Sequence, residues 1–148
     1  RTEHFIRLAG LSGFEKRYPS QLSGGMAKRA SIVRALAYDP PVILMDEPFG
    51  ALDAQTRAVL QEDLLRLWEL GRKTIVFVTH DIDESVYLSG RVIVLSRPPA
   101  TVAAEIPVDL PRPRDVTAPE FGQHMRPVYA ALKEEVLKTM QRAPGTMP

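Results

Sequence analysis

The stretch that most constrains this chain is Val42-Ile43-Leu44-Met45 running straight into Asp46-Glu47. An unbroken apolar run bounded by breakers reads as a short strand buried on both faces, as in the middle of a parallel sheet. Pro41 precedes it, and Pro48 and Gly50 end it in a loop. The two carboxylates therefore stand at the carboxyl end of a strand, where open α/β sheets hold their ligands. Adjacent acids there are costly unless a cation or a proton resolves them. The alternative is a strand that ends in a polar turn.

The surrounding pattern alternates. Thr74 to Val78 is a second apolar run, ending in Thr79-His80-Asp81, and Arg91 to Leu95 is a third. Ser23-Gly24-Gly25 opens a helix with Ser23 as its cap, and Met26, Ala30, Val33 and Ala37 recur at helical spacing beside Ile32 and Leu36. Asp39-Pro40-Pro41 ends it. A second helix runs from after Asp53 to about Leu70, with Val59, Leu60, Leu64 and Leu67 as its apolar stripe and Gly71 as its stop. Asp81 to Glu84 forms a capping box for a short helix ending near Gly90. Strands alternating with helices predict an α/β fold with a parallel sheet.

The flanks carry less information. Residues 1–9 read as the end of a helix, followed by a loop region at Gly10, Gly13 and Pro19. Lys28, Arg29 and Arg34 read as a solvated face, with a specific contact as the alternative, and Trp68 as packing. Thr101 to Ile106 is a peripheral strand. Pro111 to Thr117 is a basic, proline-rich connector, read as a solvated linker with phosphate contact by Arg112 and Arg114 as the alternative. Val128 to Met140, with Leu132, Val136 and Leu137, reads as an amphipathic helix, and Ala143 to Pro148 as disordered.

Composition removes several function classes. The 148 residues suffice for one domain with a core, and a net charge of +1 gives no bulk attraction to nucleic acid or anionic membrane. With no cysteine there is no disulfide framework and no thiolate chemistry, which is consistent with a reducing cytoplasm. No stretch approaches the roughly 20 apolar residues of a membrane span. The opening Arg1-Thr2-Glu3-His4 is no signal peptide.

Taken in order, Leu22-Ser23-Gly24-Gly25-Met26, Val42 to Glu47, Ala51-Leu52-Asp53 and His80 resemble the signature loop, Walker B strand with catalytic glutamate, D-loop and switch histidine of the ATP-binding cassette (ABC) ATPases. The resemblance covers Pro19 to Ser96. The Gly-Gly-Met-Ala-Lys-Arg variant and Pro111 to Arg114 are similar to importer ATPases for nitrate, sulfonate, taurine and related solutes. One departure dominates. The chain has no G-x-x-x-x-G-K-[ST] phosphate-cradling loop, no Gly-Lys pair and no Q-loop, since Gln21 adjoins the signature. It therefore reads as the C-terminal portion of a cassette, with little ATP affinity of its own.

The resemblance implies a partial P-loop NTPase fold of RecA-like, three-layer type. Residues 1–22 would end the helical subdomain, 23–96 form half of the ATPase core, and 97–148 an extension. The implied cofactors are ATP and Mg²⁺. Asp46 would hold Mg²⁺ through water, Glu47 orient or deprotonate the attacking water, and His80 donate toward the γ-phosphate. Ser23, Gly24, Gly25 and Asp53 would act on the nucleotide of a second ATPase subunit, head to tail. Met26 in place of the common glutamine alters a side-chain contact but leaves the backbone cradle. The implied partners are that subunit, transmembrane permease subunits and, indirectly, a periplasmic solute-binding protein, at the cytoplasmic face of the cell membrane and without nucleic acid. Two alternatives are a non-hydrolysing chain that offers only its signature surface in trans, and a soluble ABC ATPase outside transport. In the family, a further strand lies between the strand ending at His80 and that of Arg91 to Leu95, so Val42–Met45 should pair in parallel with Thr74–Val78, and Thr74–Val78 should not pair with Arg91–Leu95.

Overall fold

The computed structural model describes residues 2–50 and 52–141. The expectations for Ala51 and for Ala143 to Pro148 lie outside the described residues. The elements are α1 (Thr2–Leu8), a 3-10 turn at Pro19–Gln21, α2 (Gly24–Ala37), β1 (Val42–Asp46), α3 (Ala54–Gly71), β2 (Thr74–Val78), α4 (Ile82–Leu88), β3 (Arg91–Leu95), β4 (Val102–Pro107) and α5 (Pro119–Gln141). The chain divides into two compact units between His80 and Asp81.

In the first unit β1 and β2 form a parallel pair with Val42 opposite Thr74 and Asp46 opposite Val78, the expected pairing. Burial corrects one expectation. Ile43 and Met45 are buried, but Leu44 is 77% exposed and Val42 48%, so β1 is buried on one face among the described residues. β2 likewise alternates exposed and half-buried positions. A run in which every residue is apolar hides the period-2 alternation that would separate one-sided from two-sided burial. The helices contribute Ile32, Val33 and Leu36 from α2 and Leu60, Leu64 and Leu67 from α3; Val59, expected in the stripe, is exposed.

Local signals explain the helix ends. Ser23 Oγ accepts the Met26 N–H at 3.3 Å, and Asp53 Oδ1 accepts that of Thr56 at 3.0 Å. These caps satisfy donors that a helix start leaves open. The stop of α3 differs from expectation. Gly71 is its last helical residue, and Arg72 takes the left-handed position at φ 42°, its N–H donating to Trp68 O at 2.6 Å. Arg29 is a tie and not a solvated side chain, donating to Ala9 O at 3.2 Å.

In the second unit β3 pairs antiparallel with β4, so the parallel sheet expected through Arg91–Leu95 is limited to β1 and β2. β2 and β3 belong to separate sheets. Val86, Val92, Val94, Val108, Phe121 and Val128 form this unit's core. α5 begins at Pro119, nine positions ahead of the expected Val128, and its Val136, Leu137 and Met140 are exposed. The Arg-Pro-Arg segment is neither a solvated linker nor open to phosphate. Arg114 is buried and donates to the carbonyls of Val86, Tyr87, Ser89, Val108 and Leu110, while Arg112 donates to Leu88 O at 2.5 Å. Together they cap the C-terminal end of α4, whose carbonyls have no partner within the helix. Burial, with the Arg112 charge behind it, pushes the Arg114 guanidinium down to about 10, which leaves it protonated at neutral pH.

Candidate functional site

The expected site residues gather into two clusters, both in the first unit. The first stands where β1 and β2 end together. Asp46 closes β1 with an exposed side chain. Glu47 follows with its N–H donating to Val78 O at 2.9 Å, one step past the strand ladder. Its φ of 40° is costly for a residue with a Cβ and turns the chain sharply out of the sheet. The turn is anchored by Phe49, fully buried against Phe77 with ring centres 5.9 Å apart, and closed by the Gly50 N–H on Glu47 O at 3.2 Å. A Cβ on Gly50 would lie 3.2 Å from Glu47 Oε2, so the glycine leaves room for that carboxylate. On the neighbouring strand end, His80 Nδ1 lies 3.0 Å from Glu47 Oε1. The two side chains are 74% and 51% exposed, open to a ligand.

A carboxylate accepts, so Nδ1 carries a proton in this pair. The ring can then donate from Nε2 as well only as the imidazolium. Asp46 fits a hydrated Mg²⁺. Magnesium is commonly held by one or two carboxylates together with substrate phosphates and waters. No group of three or more acidic, histidine or cysteine side chains that could cage a metal occurs among the described residues.

The second cluster joins two helix starts. Ser23 caps α2, which opens with Gly24 and Gly25, and Asp53 caps α3. Each start presents backbone N–H groups and the positive end of a helix dipole. Hydrogen bonds from the Thr56 hydroxyl and N–H hold the Asp53 carboxyl below its ordinary range. The two starts meet, because a Cβ on Gly25 would lie 3.1 Å from Thr56 Cγ2. Thr56 escaped the sequence reading. Its signal was present, three residues after the Asp53 cap, where a cap's partner stands. An apolar groove of about 500 Å³, lined in part by Ile6, Leu11, Phe14, Leu22 and Val33, includes none of these site residues.

Comparison with known proteins agrees with these motifs. The family model described as ABC transporter matches residues 1–50. An uncharacterized ABC transporter ATP-binding protein of Methanocaldococcus jannaschii is 53% identical over 137 residues, which cover 93% of this chain and 51% of that protein. The aliphatic sulfonates import ATP-binding protein SsuB of Bacillus cereus is 44% identical over 142 residues, 96% of this chain and 53% of that protein. The chain thus spans about half the length of the curated relatives it matches. A dimeric ATP-binding cassette solved in a post-hydrolysis state with ADP and Pi superposes with a TM-score of 0.59 at 38% identity, over 73% of this chain and 46% of that one.

Proposed function

From the premise that this chain carries part of an ABC transporter ATP-binding cassette, we propose that the complete protein hydrolyses ATP to drive import of a small solute. The observation that carries the reading is the contact between Glu47 and His80 at paired strand ends, with Asp46 beside them. Glu47 Oε1 accepts from His80 and is positioned by it. The glutamate then takes a proton from the attacking water, and the imidazolium form of His80 can donate to the γ-phosphate while keeping Glu47 in place. A Mg²⁺ held through water by Asp46 would neutralise charge on the phosphates. Ser23, Gly24, Gly25 and Asp53 act on the nucleotide of a second, identical subunit arranged head to tail. These 148 residues contain no phosphate-cradling G-x-x-x-x-G-K-[ST] loop, so this chain alone should be inactive.

The name of the SsuB relative favours an aliphatic sulfonate, a class that includes taurine, over nitrate as the solute. No described helix is long and apolar enough to cross a membrane. The subunit would therefore reach the cytoplasmic face of the cell membrane through permease partners, with a solute-binding protein on the far side. A second reading, a chain that lends only its signature surface, draws on the missing G-x-x-x-x-G-K-[ST] pattern.

Glu47→Gln in the complete protein tests the reading, because the amide keeps the shape and removes the base. Steady-state ATPase activity should fall by about 10²–10⁴-fold, with nucleotide binding kept in a filter or fluorescence assay. Activity near that of the unmodified protein would remove Glu47 from the mechanism.

A further inference from the structure

Thr56 touches both halves of the second cluster. Its N–H donates to Asp53 Oδ1 at 3.0 Å, and its hydroxyl lies close enough to help lower the pKa of that carboxyl. Its methyl, Cγ2, stands where a side chain on Gly25 would be, at 3.1 Å from that site. Gly25 has no Cβ, and one there would be tighter than ordinary packing allows, so the methyl limits how near the second helical residue of α2 can come to the first turn of α3. One short side chain thus ties Asp53 by its polar arm and buttresses the Ser23-Gly24-Gly25 loop by its apolar arm. Serine lacks the second arm and valine the first.

We propose that Thr56 is a positioning residue that holds the signature loop and Asp53 at one fixed spacing, so that both meet the partner subunit's nucleotide together. This rests on the reading that the two act across a dimer. Thr56 would act through Gly25 and Asp53 and not on the nucleotide itself, so its loss should slow turnover without loosening ATP. Misplacement by a fraction of an ångström is costly in such sites, up to about 10²-fold for 1 Å.

The test uses the complete protein. Thr56→Val, nearly isosteric, should lower kcat about 10-fold at unchanged KM for ATP and unchanged thermal midpoint, and Thr56→Ser should recover most of kcat by restoring the Asp53 bond. A second pair probes the methyl. Gly25→Ala crowds Cγ2, and adding Thr56→Ser in the same chain should return part of the lost activity. The proposal is overturned if Thr56→Val turns over normally, if its kcat falls only in step with its thermal midpoint, if serine behaves as valine does, or if Thr56→Ser brings no recovery to Gly25→Ala. Glu47→Gln separates the two levels. If it stays active, the functional reading fails; if it is inactive while the Thr56 variants are normal, only the positioning role fails.

Discussion

At the residue scale, two side chains sit in the same unfavourable backbone region for different reasons. Glu47 has φ 40° and Arg72 φ 42°, and a left-handed conformation costs a residue with a Cβ about 1–2 kcal/mol. At Glu47 the turn accompanies the contact of its carboxylate with His80, and strain of this kind clusters at functional sites. At Arg72 it only ends α3, a position that glycine usually fills. Arg72→Gly should therefore stabilise the protein by up to about 1 kcal/mol, read as a higher urea midpoint with unchanged ATPase activity. Neither φ was legible beforehand. Gly71 offered the expected stop signal, but its carbonyl and N–H remain helical and the chain reverses one residue later. That the carboxylates stand at a strand end was legible from the apolar run into Asp46-Glu47, though a polar turn was the alternative until the neighbouring motifs were weighed. The Glu47–His80 contact was not, since it depends on register between strands 33 positions apart in sequence.

At the element scale, α4 depends on a clamp from far along the chain. Its seven residues are too few to be stable by themselves, and Arg114 and Arg112 supply the C-terminal cap. Prolines around the two arginines announced a break in regular structure, which was right, and suggested solvent exposure, which was wrong. Sequence shows that a segment breaks but not whose carbonyls its side chains will meet. Arg114→Met fills similar volume yet leaves buried carbonyls without donors, so it should destabilise the second unit by about 3 kcal/mol, measured by urea unfolding. Arg114→Lys should recover little, because an ammonium cannot spread donors over five carbonyls as the planar guanidinium does. The strands divide the same way. The parallel pairing of β1 with β2 was expected from the family resemblance, whereas the antiparallel β3–β4 pairing rests on Val108 and the loop before β4, where local pattern is weak.

At the scale of the whole molecule, the chain would have two jobs on opposite sides of a dimer. On the proposed reading, Asp46, Glu47 and His80 would serve the subunit's own nucleotide, and Ser23, Gly24, Gly25 and Asp53 its partner's. The motifs and their order were legible in the sequence; their separation into two clusters needed the helix starts of α2 and α3 to meet at Gly25 and Thr56. The most direct measurement mixes two inactive forms of the complete protein, one carrying Glu47→Gln and the other Ser23→Arg. If the signature acts across the dimer, each mixed dimer contains one site with both defects and one with neither, and ATPase activity should return to roughly a quarter of that of the unmodified protein, since about half of the dimers are mixed and each holds one intact site. A chain carrying both substitutions, mixed with unmodified protein, should lose activity in its mixed dimers. Mixtures of the single variants that stay as inactive as either parent would contradict the two-sided assignment.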